Sequence, residues 1–256
     1  MTIKTVQWNI GGGKIRKPDS SVEGPYNEEG LEHVIGILAP QNADIITLQE
    51  THAKDDKVQA EYIAKALGLS HVVNDIYNDS HLEAGQGLGQ AILSRFPLDH
   101  HTFKFLQNPN YTAVRPNGEK WVSHNKGVTR CEVKLSENNF LEVVTTHFIP
   151  FGKFFIDPLG NDQAALRKHL QESITPKNST YLLQGDINLN NRSAREFLPL
   201  LFTLGVEEVE LQTPTTPDDK WYDHVLYRGL EHVKSLVLTS ALTDHLPVVS
   251  EFTIAD

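Results

Sequence analysis

The stretch Leu183-Gln184-Gly185-Asp186-Ile187-Asn188-Leu189 concentrates groups able to do chemistry. An apolar run, Tyr181-Leu182-Leu183, reaches a glycine, which can turn tightly because it has no Cβ. A carboxylate and an amide follow two residues apart, and an extended backbone sends such a pair to the same side. Asp186 could then orient or deprotonate a water, and Asn188 could donate to a phosphate oxygen. Read alone, the same residues are equally an Asx-type turn after a strand.

Other strand-like runs end in the same way. Asn9 follows Val6-Gln7-Trp8, Glu50 follows Leu48-Gln49, and His147 follows Val144-Thr145-Thr146. Asp223 opens the run Asp223-His224-Val225-Leu226-Tyr227, and Asp244-His245 precedes Leu246-Pro247. A hard cation such as Mg²⁺ takes oxygen ligands, often one or two carboxylates with water and substrate phosphate; Glu50 and Asp244 suit that task. Charge developing on a phosphoryl group calls for His and Asn donors, and a histidine beside it for a carboxylate on its other nitrogen. Singly, each residue reads as a turn, a cap or a solvated side chain; together they suit hydrolysis of a phosphate ester. His52, His100, His101 and His169 show no metal-ligand spacing and are expected on the surface.

The elements that must position these groups follow from periodicity. Thr2 to Ile10 reads as a strand ended by Gly11-Gly12-Gly13, with a polar loop to about Asn27. Leu31, Val34, Ile35 and Leu38 give a helix stripe, with Asn27 as N-cap and Pro40 as stop. Asp44 to Glu50 is a strand ending on its carboxylate; a helix spans about Asp56 to Leu67 before Gly68. Val72-Val73 is a short strand before a polar loop from Asp75 to Gly87. Leu88 to Ser94 and Asp99 to Phe105 read as partners around Pro97. Gln107 to Asn125 is a long loop. Gly127 to Leu135 and Phe140 to Thr146 form a hairpin, and a helix runs from about Asp162 to Ile174. Strands follow at Asp223–Tyr227, His232–Leu238 and Pro247–Thr253. The loop after His147 holds Phe148, Phe151, Phe154 and Phe155 around Lys153, which suits either a satellite core or a base-stacking platform.

The 256 residues contain no repeat or low-complexity linker, so one domain over 1–256 is expected. A net charge of −10 without a Lys/Arg block argues against tracking long duplex DNA. Cys131 is the only cysteine, which excludes an intrachain disulfide and a thiolate metal cluster. There is no apolar run of membrane-spanning length and no signal-peptide pattern at the N-terminus, so a cytoplasmic monomer without integral membrane association is expected. Gly11-Gly12-Gly13 lacks the GxGxxG spacing of a dinucleotide site.

Taken in order, Trp8-Asn9, Leu48-Gln49-Glu50, Thr146-His147, Gly185-Asp186-Ile187-Asn188, Asp223-His224-Val225 and Thr243-Asp244-His245 resemble the motifs of the endonuclease/exonuclease/phosphatase superfamily. Gly87 to Pro97 is similar to a strand of that group. The resemblance implies a four-layer α/β/β/α sandwich, two packed mixed β-sheets with outer helices and a site at one edge. It implies that Glu50, with Asn9 and Asp244, holds Mg²⁺ or Mn²⁺, and that Asp186 positions or activates water. Asn188, His147 and Asn9 would bind the phosphate; His245 would contact the scissile group, oriented by Asp223. Two departures, Gly11 where abasic-site endonucleases have an acid and His147 where they tend to have tyrosine, argue against abasic-site repair.

The expected function is therefore a metal-dependent phosphodiesterase or nuclease acting on nucleic-acid ends or short single strands. A phosphomonoesterase or a sphingomyelinase-like lipid-headgroup hydrolase is the alternative. A non-catalytic binding module on the same fold is a further one.

Overall fold

Why the chain forms sheets that bury both faces is visible in its first strand. In Thr2–Asn9, Ile3, Thr5, Gln7 and Asn9 alternate with Val6 and Trp8, and nearly all of them are buried. One set packs toward a second sheet and the other toward helices. The computed structural model describes residues 1–17, 25–115 and 118–254; part of the polar loop expected before Asn27 lies outside them.

The first sheet runs in the order Glu231–Val237, Val248–Thr253, Thr2–Asn9, Ile45–Lys54, Gly87–Ser94 and His71–Asp79, with Lys57–Val58 added beside Ile45–Lys54. The second runs Glu207–Glu208, Asp223–Arg228, Tyr181–Asp186, Phe140–His147, Gly127–Lys134 and Leu98–Phe105. Both are mixed: Thr2–Asn9 lies parallel to Ile45–Lys54, and Phe140–His147 parallel to Tyr181–Asp186, among antiparallel pairs. Ile3, Ile45, Ile92, Val143, Leu182, Val225 and Phe252 form the apolar layer between the sheets. Val34 and Leu38 of the helix Leu31–Leu38, and Ala60 and Ile63 of Gln59–Leu67, cover the first sheet on Trp8 and Leu48. Leu166, Leu170 and Ile174 of Ala164–Ile174 cover the second with Phe148 and Phe197. The result is a four-layer α/β/β/α sandwich.

Near the site end the interlayer becomes polar. Gln7 Nε2 donates to Gln49 Oε1 and Asp223 Oδ1, both at 2.8 Å, and Gln49 Nε2 donates to Thr145 Oγ1 at 2.8 Å. Gln90 Nε2 reaches Thr129 Oγ1 at 3.0 Å, and Gln184 Nε2 reaches Thr5 Oγ1 at 2.9 Å. Bonds from Gln7, Gln49, Gln90 and Gln184 cross between the layers where water is excluded, and they fix how one sheet sits on the other.

Several expected elements differ. Leu98–Phe105 pairs with Gly127–Lys134 in the second sheet, not with Gly87–Ser94. Both edges of Gly87–Ser94 are already taken by Ile45–Lys54 and His71–Asp79, so the chain crosses over after Pro97. Asn27 lies in the strand Tyr26–Glu29, and Gly30 caps the helix instead. The second helix starts at Gln59, after Lys57–Val58 has paired with Ile45–Lys54. His71–Asp79 extends the short strand into the supposed polar loop, and Thr112–Val114 pairs with Lys120–Val122 inside the loop after Gln107. Polar residues hide these strands because their faces are half-solvated.

Candidate active site

Three strands of the second sheet end in register. His147 is level with Asp186, and Asp186 with Asp223, so three chemically active side chains lie in one row across the sheet. Gly185 permits this closeness, since a Cβ there would meet Thr146 O at 2.3 Å. Asp186 Oδ1 accepts from the Asn188 N–H at 2.9 Å, and Asn188 has φ +54°. The Asx turn is therefore present, and it is what locks the carboxylate.

The first sheet supplies the opposite wall. Asn9 Nδ2 donates to Asp186 Oδ2 at 3.0 Å. Glu50 was expected to end its strand, yet the strand continues to Lys54 with a register shift between Gln49 and Thr51. Gln49 points between the sheets, so regular alternation would send Glu50 outward. A bulge and a left-handed φ of +54° turn its carboxylate back into the cavity instead.

Asn9, Glu50, His147, Asp186, Asn188, Asp244 and His245 all line one cavity of about 560 Å³. Asp223 is buried behind His245, accepting its Nδ1–H at 2.8 Å on Oδ2. His245 Nε2 lies 3.7 Å from Asp186 Oδ2, and His147 Nε2 lies 3.4 Å from the same oxygen. Burial opposes charge on His245, but the carboxylates of Asp223 and Asp186 offset this and raise its pKa well above the usual imidazole range. It is an imidazolium. Burial pushes the Asp186 carboxyl up to about 6, with Asp223 adding to the rise and His245 opposing it. Burial, and then Lys126, holds His147 well below the usual range, so it is neutral.

Lys126 is a functional candidate that the sequence did not single out. It is 4 % exposed, and its ammonium lies 2.9 and 3.1 Å from the two ring nitrogens of His147, one of which must be the unprotonated acceptor. Burial brings it down to about 8, against the pull of Glu50 and Asp186. Tyr77, also buried, reaches His147 Nδ1 at 3.2 Å. Lys126 stood between the expected loop Gln107–Asn125 and the strand expected from Gly127, and Tyr77 inside the loop expected from Asp75 to Gly87, where neither had a positional signal. Burial also opposes ionisation of Glu50, but Lys126, His81, Lys153 and His245 together hold it below the usual carboxylate range.

A hard divalent cation fits the oxygens of Glu50 and Asp244, with Asn9 Oδ1 beside them accepting from the Gly11 N–H at 3.0 Å. Gly11, at φ +53°, leaves the room this needs: a Cβ there would meet Asp244 Oδ1 at 2.9 Å. Asp186, Asp223 and His245 also place ligand atoms within 4.8 Å of one another. There the imidazolium spends its Nδ1–H on Asp223, which makes that trio a hydrogen-bonded relay rather than an ion cage.

For neighbouring residues, one open alternative closes and one expectation changes. Phe148, Phe151 and Phe154 are buried in the cluster under Ala164–Ile174, so the rings form a core and not a stacking platform; Phe155 alone is exposed. His52 is buried, its Nε2 2.7 Å from Ser80 Oγ, because the strand runs on past Glu50. His100 and His101 are exposed and His169 is half-buried.

This pairing of sandwich and site defines a class, the phosphoester hydrolases built on two packed mixed sheets. Residues 6–245 match the Endonuclease/Exonuclease/phosphatase family, and the chain belongs to it. It is a phosphoester hydrolase. The endonuclease/exonuclease/phosphatase of Beutenbergia cavernae shares the fold with a TM-score of 0.77 at 17% identity, over 99% of this chain and 72% of that one. A 3′ phosphatase from Neisseria, bound to a product DNA hairpin, gives 0.59 at 17%, over 98% and 99%. The 2′,3′-cyclic phosphatase ANGEL2, in complex with adenosine-2′,3′-vanadate, gives 0.64 at 12%, over 98% and 95%. No curated protein matches in sequence. Among the described residues no helix is long and apolar enough to cross a membrane.

Proposed function

We propose that the chain is a Mg²⁺- or Mn²⁺-dependent phosphodiesterase acting on nucleic-acid ends or short single strands. The observation that carries this is the Asp186 carboxylate, fixed by Asn9 and Asn188 and set between neutral His147 and the Asp223-held imidazolium of His245. Asp186 receives the proton of the attacking water as its oxygen bonds to phosphorus and the ester oxygen departs with the electrons of the broken bond. His245 and Lys126 face the charge that builds on the phosphoryl oxygens. Asn188 spends one amide hydrogen on Phe148 O at 2.9 Å and keeps a second for the phosphate. The cation held by Glu50, Asp244 and Asn9 would supply Lewis-acid polarisation of a phosphoryl oxygen when bound.

A cavity of about 560 Å³ suits a terminal unit rather than a duplex. The net charge of −10 agrees. The 3′ phosphatase from Neisseria, bound to a product DNA hairpin, and the 2′,3′-cyclic phosphatase ANGEL2, bound to an adenosine vanadate, support a nucleic-acid or nucleotide substrate for this chain. We take a monomer as the catalytic unit. We take residues 1–256 as one domain, because Val248–Thr253 pairs with Thr2–Asn9; a fragment ending before residue 240 is expected to be inactive.

The test is a panel assay with Mg²⁺ or Mn²⁺ on bis-p-nitrophenyl phosphate, p-nitrophenyl phosphate, single- and double-stranded DNA, RNA and sphingomyelin. Preference for the diester and for single-stranded ends supports the proposal. Faster turnover of p-nitrophenyl phosphate points to a phosphomonoesterase, and of sphingomyelin to a headgroup hydrolase.

A further inference from the structure

We propose that the cavity has a second anion subsite, on the wall formed by Arg115, Trp121 and Lys153, and that the substrate carries a phosphate besides the scissile one. This rests on the phosphoester reading above.

Apart from Glu119, the carboxylates that line the cavity are Glu50, Asp186 and Asp244, the groups proposed above to meet the cation and the scissile phosphate. The wall of the hairpin Thr112–Val114/Lys120–Val122 is different. It contributes Arg115, Lys120 and, from the adjoining turn Phe151–Phe154, Lys153, against the single carboxylate of Glu119, which accepts from Arg115 Nη1 at 3.3 Å. This is a local excess of positive charge on a chain whose net charge is −10.

The cations are seated rather than loose. The Arg115 guanidinium carbon lies 3.3 Å from the Trp121 ring centroid and Lys153 Nζ lies 4.9 Å from it. Trp121 in turn packs on the buried cluster that includes Phe151 and Phe154. Those two rings, 1 % and 8 % exposed, anchor the turn that presents Lys153. With its ring faced by cations and packed on the core, Trp121 serves as a seat for charge and not as an open stacking surface. Lys153 lines the same cavity as Glu50, His147 and Asp244. His124, which lines the same cavity and stacks on His81, is brought down to about 4 by burial and adds no positive charge there. A guanidinium and an ammonium held in advance are the groups that recognise a phosphate.

The experiment compares two p-nitrophenyl diesters, of thymidine 5′-phosphate and of the same nucleotide with a 3′-phosphate added. Wild type is expected to show kcat/KM at least about tenfold higher for the second, the value of one charged hydrogen-bond set. Lys153→Gln and Arg115→Gln, checked for folding by thermal melting, are expected to lose far more on the bisphosphate than on the monophosphate. No preference in wild type, or a preference that survives both substitutions, overturns the subsite. A ribose analogue with both phosphates and no base separates the sources. A preference kept there assigns recognition to a phosphorylated small molecule's chemistry, and one lost there assigns it to a nucleotide. Calorimetric binding of thymidine 3′,5′-bisphosphate against thymidine 5′-monophosphate, with Ca²⁺ as the cation, needs no turnover. Tighter bisphosphate binding that depends on Lys153, in a protein that cleaves neither ester, upholds the subsite and sinks the hydrolase reading. Equal binding sinks the subsite alone.

Discussion

Gln7 and Asp223 stand on different sheets and are joined by a hydrogen bond of 2.8 Å. The other oxygen of Asp223 accepts from His245 at 2.8 Å. The orientation of the imidazolium at the reacting end is thus set by an amide buried between the layers.

Asp223→Asn should therefore act through His245. Its carboxylate, with that of Asp186, keeps the imidazolium charged against burial. The charge is present at low pH and is lost as pH rises through the folded pKa, so removing Asp223's charge moves that loss to lower pH. An NMR titration of the ring protons should show the pKa of His245 falling, with kcat reduced by about 10². An unmoved titration would remove Asp223 from this role.

Asp186→Asn should fold and lose activity by about 10² to 10⁴, the range for one general base. In wild type the base is made by deprotonation, so the rate should climb as pH rises through about 6. The variant should lack that climb. Wild-type turnover in a folded Asp186→Asn protein would exclude the residue as base.

Lys126→Met tests the cation that the strand-end pattern did not contain. Lys126 is charged below about 8 and neutral above, so wild-type turnover should decline as pH rises through that value. The substitution should lower kcat by about 10², the cost of one lost charge-stabilising donor. Lys126→Arg should recover part of the rate. Unchanged kinetics in Lys126→Met would make this amine a structural partner of His147 only.

Chelation by EDTA should abolish turnover, and added Mg²⁺ or Mn²⁺ should restore it. Glu50→Gln should shift the activating metal concentration upward by about tenfold or more, read from a rate-against-metal titration. Full turnover after exhaustive chelation would remove the cation from the reaction.

The candidate residues were more legible in the sequence than the frame that brings them together. Asn9, Glu50, His147, Asp186, Asn188, Asp223, Asp244 and His245 all sit where a hydrophobic run stops or starts, but singly each read as a turn, a cap or a solvated side chain, and it was the order of the motifs, through the family resemblance, that joined them. What it could not show is set by partners distant in the chain. Nothing local makes Leu98–Phe105 leave its neighbour; that follows from both edges of Gly87–Ser94 being taken. The turning of Glu50 inward needs a bulge opposite Gln90 and Gly89, and a bulge has no fixed residue signature. Lys126 and Tyr77 became site residues only when the sheets closed over them. The phenylalanines after His147 had the composition of either a core or a platform, and packing under Ala164–Ile174 decided it.

The pairing of Thr2–Asn9 with Val248–Thr253 has a consequence in time. During synthesis the strand bearing Gln7 and Asn9 emerges first, and one of its two sheet neighbours is made long afterwards. Asp244 and His245 immediately precede that late neighbour. A nascent chain can build the helices and the middle strands early, yet it cannot close the site until translation has passed Thr253. Such long-range pairing is slow to form. Hydrolytic capacity is therefore expected to arrive late, and a chain that ends before Val248 is expected to stay inert toward the phosphoesters around it.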